Sequence, residues 1–358
     1  MYQRNRNLFS LLAVLFTASL ITGIGGIFLL LADQIGSGPR LVANTSISDS
    51  DSAAEVPAFR TLGTHPSTVL SVAVGDRTPI MASGSYDNTV KLWNRNSGED
   101  TALPHSGRVN DLVFTPDGEQ LLTGSGAGNI KLWSIAGNLQ SSIQSDSGRI
   151  LSLAVNATGE IIASGSNKGI LQIWSTDSRQ LQLESTLANI GPRINTLAFH
   201  PTEANILISG NQDGLIQIWD IERAEIIQTL DDNADRIVSI AISNNGQYLA
   251  SGSYDQSIRV WDLEAGDLLQ VLDGHNFSVA DVAFSPDGTT LASSSYDESI
   301  KTWNWNSGRT LCTLEGHSGF VYSVAFTDSG NTLVSGGYDG TVRTWDLTAT
   351  SNQDCLPR

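Results

Sequence analysis

The segment TLEGHSGFVYSVAFTDSGNTLVSGGYDGTVRTWD occupies residues 313–346, and VLDGHNFSVADVAFSPDGTTLASSSYDESIKTWN occupies residues 271–304. The two segments share the order of their apolar, glycine and aspartate residues, and each ends one residue after a tryptophan. This tryptophan recurs at intervals of 40 to 45 residues. The seven members of the series are Trp93, Trp133, Trp174, Trp219, Trp261, Trp303 and Trp345. Most of the chain is therefore built from copies of one unit.

Each unit contains four short strand patterns. In the sixth copy, β-rich runs cover residues 279–284, 291–294, 300–303 and 309–314, and turn residues such as Asp-Gly separate them. A single four-stranded sheet cannot bury its own faces, so neighbouring units must stack. Together with the period, this predicts an all-β, seven-bladed β-propeller of four-stranded antiparallel blades over residues 58–348.

The repeats resemble those of the WD-repeat family over roughly residues 58–347. That resemblance implies a buried His–Ser/Thr–Asp–Trp network in each blade. The hydroxyl positions are Ser83, Thr123, Ser164, Ser209, Ser251, Ser293 and Ser335. The Asp positions are Asp87, Asp213, Asp255, Asp297 and Asp339, and the His positions are His65, His105, His275 and His317. Ala127 and Lys168 replace Asp in blades two and three, while Asp146 and Asn233 replace His in blades three and five. Only blades one, six and seven have the full set, so the other four are expected to be locally less stable.

The start of the repeats predicts how the ring closes. Residues 58–62 precede His65 much as residues 270–272 precede His275, which places an outer strand before the first complete repeat. In WD-repeat rings the last blade borrows such a strand. We therefore expect residues 58–62 to pair with Thr341–Asp346 in blade seven, which would remove an exposed sheet edge.

Few side chains remain for catalysis. Four of the five histidines fall at the network position, and we expect the fifth, His200, to be solvated in a turn. No His/Cys cluster has the spacing of a metal site, and no Gly-rich phosphate loop stands apart from the repeats. The turns with Asp117 and Asp287 could hold calcium, although a hairpin turn is the simpler explanation. We expect a protein that is not an enzyme and that needs no cofactor or metal.

The N-terminal region predicts a membrane anchor. Residues 8–32 contain no charged side chain over 25 positions, and a helix of that length exceeds the roughly 30 Å hydrocarbon core of a bilayer. We expect a short cytoplasmic tail (1–7), a single-pass transmembrane signal-anchor helix (8–32) and a flexible linker (33–57). Arg4 and Arg6 precede the apolar span, so the propeller should lie on the extracytoplasmic side, periplasmic or lumenal. A cleavable signal peptide is the alternative, although its apolar region usually has only about 7–15 residues.

The charge of the chain narrows its partners. The formal net charge is −17, which disfavours binding to nucleic acid or to an anionic lipid surface. The two cysteines, Cys312 on a predicted outer strand and Cys355 in the C-terminal tail (349–358), are too few for a disulfide framework. Whether these two cysteines pair is left open by their spacing.

Two sets of side chains are candidates for binding a partner on one face of the ring. Arginines directly precede the innermost strand in blades two to five: Arg108, Arg149, Arg193 and Arg236. Aromatic residues precede the Asp position or lie in blade seven: Tyr86, Tyr254, Tyr296, Tyr338, Phe320 and Tyr322. We predict an arginine arc and an aromatic arc that meet near blade five. The alternative is that the arginines pair with local acids such as Asp235 and that the tyrosines belong to the repeat.

These features predict a membrane-anchored scaffold for protein–protein interactions, in the assembly or stabilisation of a membrane or envelope complex. The alternative is a sensor or carrier that binds a small ligand in the propeller channel. A ring-shaped hydrolase is a third class, which the histidine count disfavours. A deep channel lined by converging polar groups would favour the ligand, whereas a broad face of arginine and aromatic residues would favour a protein.

Overall fold

The computed structural model describes residues 59–75, 77–177, 180–187, 191–231, 235–349 and 355. The predicted cytoplasmic tail, transmembrane helix and linker lie outside these residues. Within them, no helix is long and apolar enough to cross a membrane.

The described residues form 28 strands in seven four-stranded sheets, which are the predicted blades. Blade one contains β2 (Val69–Val74), β3 (Ile80–Ser85), β4 (Thr89–Asn94) and β5 (Asp100–Pro104). Blade two contains β6 (Val109–Phe114), β7 (Gln120–Ser125), β8 (Asn129–Ser134) and β9 (Leu139–Gln144). Blade three contains β10 (Ile150–Val155), β11 (Ile161–Ser166), β12 (Leu171–Asp177) and β13 (Gln180–Leu187).

Blade four contains β14 (Ile194–Phe199), β15 (Ile206–Asn211), β16 (Ile216–Asp220) and β17 (Glu225–Leu230). Blade five contains β18 (Ile237–Ile242), β19 (Tyr248–Ser253), β20 (Ile258–Asp262) and β21 (Leu268–Leu272). Blade six contains β22 (Val279–Phe284), β23 (Leu291–Ser295), β24 (Ser299–Asn304) and β25 (Arg309–Glu315), with a 3₁₀ helix at Trp305–Ser307. Blade seven contains β26 (Val321–Phe326), β27 (Thr332–Gly337), β28 (Thr341–Asp346) and β1 (Phe59–Thr64). The strands predicted for the sixth repeat are confirmed.

The ring closes as the sequence predicts. Strand β1 pairs antiparallel with β28, with Phe59 opposite Trp345 and Thr64 opposite Thr341. The innermost strands pack in cyclic order, and the last of them, β26, packs against β2. The rings of Phe59 and Trp345 lie 5.0 Å apart, measured between their centroids. The Arg343 guanidinium lies over the Phe59 ring, 4.4 Å from its centroid. The first strand of the chain therefore completes the last blade.

The second strand of each blade, counted from the channel, packs against the innermost strand of the next blade. Gly336 in β27 shows how close this approach is, because a Cβ at this position would lie 2.3 Å from Cγ1 of Val69 in β2. Blade six has Ser294 at the equivalent position, and the Ser294 hydroxyl is buried with no hydrogen-bond partner in the described part of the chain. Each hydrophobic core accordingly spans two blades, as where Trp133 packs with Leu92 and Val109. The apolar positions of one repeat therefore stabilise its neighbour.

All seven blades contain at least one bond of the structural polar network, that between the tryptophan and the Ser or Thr hydroxyl. In every blade the indole N–H of the repeat tryptophan donates to the Ser or Thr hydroxyl, over 2.8 to 3.2 Å. Four histidines extend it by bonding that hydroxyl through Nε2. Only His65, His275 and His317 also bond an Asp through Nδ1, as predicted for blades one, six and seven. His105 instead bonds the carbonyl of Leu103, and burial together with nearby Lys131 lowers the pKa of His105 to about 4.

The prediction for His200 is wrong. This side chain is buried rather than solvated. Its Nδ1 accepts a hydrogen bond from the N–H of Glu203 at 3.1 Å, and its Nε2 bonds the carbonyl of Gly246 at 3.1 Å. The imidazole satisfies backbone groups of two neighbouring blades, a contact across 46 residues that the local turn sequence does not reveal.

The open question of the cysteines is answered by a disulfide. Cys312 in β25 and Cys355 are bonded, with a Cα–Cα distance of 4.9 Å. Cys355 is buried against Leu347 and Trp345 in the core between blades six and seven, and its carbonyl accepts a hydrogen bond from the hydroxyl of Thr302. The C-terminal segment is thus tied covalently to blade six.

Candidate functional site

Two loops of every blade meet on one face of the ring, which we call the mouth face. The residue before the innermost strand offers its carbonyl to the N–H of the residue before the Asp position, over 2.8 to 3.1 Å. The seven pairs are Thr68–Tyr86, Arg108–Gly126, Arg149–Asn167, Arg193–Gln212, Arg236–Tyr254, Ser278–Tyr296 and Phe320–Tyr338. These bonds place the predicted arginines and tyrosines at equivalent positions around the channel.

The arginine arc contains the four guanidinium groups of blades two to five. Within the described residues, none of these groups forms an ion pair or donates a hydrogen bond; the paired arginines are Arg223, Arg259 and Arg343. Among the described residues, the Asp235 carboxylate accepts the backbone N–H of Arg236 and not its guanidinium. Partial desolvation and the neighbouring guanidinium groups of Arg236, Arg108 and Arg149 lower the pKa of Arg193. The arc is thus a concentration of unneutralised positive charge.

Five of the six residues of the aromatic arc, all except Tyr86, form one connected cluster of ring contacts. Tyr296 stacks on Phe320 at 4.8 Å between ring centroids and meets Tyr322 and Tyr254 edge-on at 5.4 and 6.4 Å. Phe320 in turn contacts Tyr338 at 6.1 Å. Burial raises the pKa of Tyr296 and of Tyr322, so both phenols stay neutral. By contrast, Tyr338 and Phe320 are 61% and 41% exposed. The cluster therefore presents an apolar platform to solvent on a base of partly buried rings.

The two arcs meet at both ends. The Arg236 guanidinium lies over the Tyr254 ring in blade five, 3.9 Å from its centroid. A second contact, between the Arg108 guanidinium and the Tyr86 ring at 5.3 Å, joins blades two and one. Stacking on a ring orients a guanidinium and leaves its N–H edges free for acceptors.

A cavity of about 580 Å³ opens between the arcs at the channel mouth. Its charged and aromatic lining comes from both arcs: Tyr86, Arg108, Arg193, Arg236, Tyr254, Tyr296, Tyr322 and Tyr338. Arg149 and Phe320 are not part of this lining. Arg149 instead lines an adjoining pocket of about 370 Å³ together with Arg108, Tyr86 and Ala127. Eight of the ten candidate residues thus surround one cavity, and Arg149 shares a second pocket with two of them.

A belt of seven polar side chains lies deeper in the channel, at the third position of each innermost strand. Its members are Ser71, Asp111, Ser152, Thr196, Ser239, Asp281 and Ser323. Six of them accept the backbone N–H of the next blade over 2.7 to 3.3 Å. At the remaining junction, Ser71 donates to Asp111. The belt was not predicted from the sequence, although a Ser, Thr or Asp stands two residues after the first apolar residue of the innermost strand in every repeat.

The belt also places negative charge below the cavity. Enclosure in the channel raises the pKa of Asp111 to about 6, outweighing the backbone N–H groups of Leu153 and Leu112 that it accepts. Enclosure also raises the pKa of Asp281, against donors that include Ser239 and Val324. One further exposed aromatic, Phe277, was missed as well; it is 61% exposed in the loop before β22.

Comparison with known proteins identifies the repeat. A segment of 87 residues is 32% identical to the periodic tryptophan protein 2 homolog of Schizosaccharomyces pombe and covers 24% of this chain and 10% of that protein. A 75-residue segment is 36% identical to a guanine nucleotide-binding protein subunit beta of Nicotiana tabacum, covering 20% of each chain. A 57-residue segment is 42% identical to DDB1- and CUL4-associated factor 13 of Dictyostelium discoideum, covering 15% and 13%. The chain spans only a tenth to a fifth of the length of these curated relatives.

The family model described as "WD domain, G-beta repeat" matches the chain seven times. The matched segments are residues 58–94, 100–134, 137–175, 183–220, 224–262, 266–304 and 308–346. Each segment contains the outer strand of one blade and the three inner strands of the next, and together the segments cover most of the sequence. The protein therefore belongs to the WD40 repeat family.

Proposed function

We propose that this chain is a membrane-anchored scaffold that binds other proteins through its mouth face, in the assembly or stabilisation of a membrane or envelope complex. WD40 propellers are generally non-enzymatic scaffolds that bind other proteins. The observation that carries the proposal is the aromatic platform beside the arginine arc. Exposed, rigidly supported aromatic and arginine side chains are the residue types enriched at the centres of protein interfaces.

The platform favours a protein over a small ligand because its apolar surface extends beyond the cavity. Phe277 and Phe320 are 61% and 41% exposed, and neither is part of the cavity lining. A ligand inside the mouth cavity would leave much of this surface in water. A partner that covers the whole face would bury it, with the polar loops as a rim.

A sensor or carrier function is the second candidate, and one observation favours it. The mouth cavity, at about 580 Å³, has the volume of a small-molecule site, roughly 300–1,000 Å³. It is open towards the face, however, and polar belt residues line the channel below it. These features are less suited to enclosing a drug-sized molecule than to receiving side chains from a protein.

The disulfide supports an extracytoplasmic propeller independently of the apolar segment. Disulfides persist in oxidising compartments and are rare in the cytosol. The Cys312–Cys355 bond joins two segments of one propeller and is partly buried, which fits a structural rather than a catalytic role. The span without charges at residues 8–32 and the preceding Arg4 and Arg6 predict the same orientation.

Site-specific photo-crosslinking in native membranes tests the partner-binding face. A photoreactive phenylalanine analogue at Phe320 or Tyr338 should give discrete crosslinked products. The matched control is Leu183, which is 50% exposed on the outer strand β13 of blade three. Replacing Tyr296, Phe320 and Tyr338 together by Ala should remove the same partner in affinity purification. Products from Leu183 alone would contradict the proposed face.

Membrane orientation has its own experiment. Protease added outside sealed spheroplasts should digest the linker at residues 33–57, and alkylating reagents should label both cysteines only after reduction. Protection from the outside, with digestion after exposure of the cytoplasmic side, would show that the proposed orientation is wrong.

A further inference from the structure

Half of the arginine arc, Arg108 and Arg149, lies where the repeat departs from its own pattern. In blades one, six and seven the Asp position carries a carboxylate bonded to a histidine, as with Asp339 and His317. In blades two and three that position holds Ala127 and Lys168. The mouth face has therefore lost two acids beside Arg108 and Arg149, in a chain whose net charge is −17.

Among the described residues, the guanidinium groups of the arginine arc have no ion pair and donate no hydrogen bond. Arg236 has a buried Nε atom with no hydrogen-bond acceptor among the described residues, which is costly unless an acceptor is supplied from outside. Arg108 and Arg236 are each held over a tyrosine ring. Preorganised guanidinium groups with free N–H edges match the oxygen atoms of carboxylates and phosphates.

The two pockets adjoin each other. Arg108 and Tyr86 line both the mouth cavity and the adjoining pocket that contains Arg149. One small anion would fill only one of the two, whereas a chain with successive anionic side chains could occupy both. With a pKa of about 6, the carboxyl group of Asp111 in the belt below is ionised at pH 7 and would repel an anion that moved deeper into the channel, so the ligand is held at the mouth.

We propose that the mouth cavity and the adjoining pocket form a receptor for an acidic segment of a partner protein, with Arg108, Arg193 and Arg236 binding one carboxylate and Arg149 the next. An apolar side chain of the same segment packs on the aromatic platform at Tyr338. This inference rests on the proposed function, because it names the chemistry of the partner at the same face. Because blades two and three have no acid at the Asp position, this sector of an otherwise acidic protein attracts acidic chains.

Fluorescence polarisation with the full chain in non-ionic detergent tests the receptor. The probe is a short fluorescein-labelled peptide of Glu and Gly with one Phe, and its control has Gln in place of Glu. Arg108→Gln and Arg193→Gln should each raise the Kd of the Glu peptide about tenfold, since each removes a charge-assisted hydrogen bond. Arg223→Gln removes the same charge from an exposed turn, where the side chain is 71% exposed, and should leave the Kd unchanged. Thermal unfolding of each variant checks that the fold is intact.

Several results would overturn the receptor. Equal losses in Arg108→Gln and Arg223→Gln would reduce it to nonspecific attraction, and equal binding of the Gln peptide would exclude recognition of carboxylates. If the Arg108→Gln variant unfolds, Arg108 has a structural role. The Kd of folded Arg193→Gln then decides whether the arginines bind the peptide. If inorganic phosphate binds with the same arginine dependence and the peptide binds no more tightly, the site serves a free anion. If any of these results is obtained but the photo-crosslinks from Tyr338 are retained, the proposed function still stands. Only the inference that the partner segment is acidic is then rejected.

Discussion

The polar network inside the blades makes a quantitative prediction about stability. In blade six the three hydrogen bonds of the network all run in the same direction, from the tryptophan towards the aspartate. The Trp303 indole N–H donates to the Ser293 hydroxyl at 2.8 Å, and that hydroxyl donates to Nε2 of His275 at 2.7 Å. Nδ1–H of His275 then donates to Asp297 at 2.8 Å. In blade three, where Asp146 replaces the histidine, Ser164 bonds only the indole of Trp174, at 2.9 Å.

Replacing the central serine by alanine should therefore cost different amounts in the two blades. Ser293→Ala leaves two buried polar groups unpaired, the indole N–H and the imidazole Nε2, whereas Ser164→Ala leaves only the indole N–H. Each buried unsatisfied group costs about 1–3 kcal/mol. We expect the free energy of unfolding to fall by about 2–6 kcal/mol for Ser293→Ala and by about half as much for Ser164→Ala.

Urea-induced unfolding of the full chain in detergent, followed by tryptophan fluorescence, measures both losses. Ser293→Thr is the matched control, because blade two carries Thr123 at this position with the bonds to Trp133 and His105 intact. It should retain most of the stability. Equal losses in the two alanine variants would refute the reasoning, since they would mean that the His–Asp extension does not stabilise the blade.

Three further predictions follow from the packing and the charges. Deleting residues 58–62 should sharply lower stability or solubility because it exposes the edge of β28, whereas deleting residues 36–50 should not; equal effects would contradict the ring closure. Gly336→Ala should lower the unfolding midpoint through overpacking of about 1–3 kcal/mol, and Ser294→Ala at the equivalent position should not; similar shifts would mean that the contact relaxes freely. The pKa of His105 is lowered to about 4, so its contribution to stability is full above about pH 6.5 and is lost as the pH falls towards 4, by roughly 3 kcal/mol. His105→Gln should remove that part of the pH dependence in acid titrations of stability, and an unchanged difference from the parent across this range would contradict it.

Some features could not be predicted because they depend on contacts between blades. His200 looks like an ordinary turn residue, yet it bonds the carbonyl of Gly246 in the next blade. The belt residues look like scattered small polar residues until the ring brings six of the seven to the backbone N–H of the next blade. The disulfide was likewise open, since a spacing of 43 residues gives no information on whether Cys312 and Cys355 are close.

The sequence by itself determined the number of blades, their strands, the network positions and the strand that closes the ring. These features repeat with a fixed period, and each depends on residues within one unit or on the first and last units, so a local pattern is enough to predict them. Only the tertiary structure decided which candidate side chains share a space. The ring curves the seven mouth loops around one channel, so Arg108, Arg193 and Arg236 face Tyr296 across a cavity while Arg149 turns to a second pocket. This division between two pockets depends on the direction of each side chain and on Ala127, which stands where other repeats have an acid. Neither feature repeats from one blade to the next.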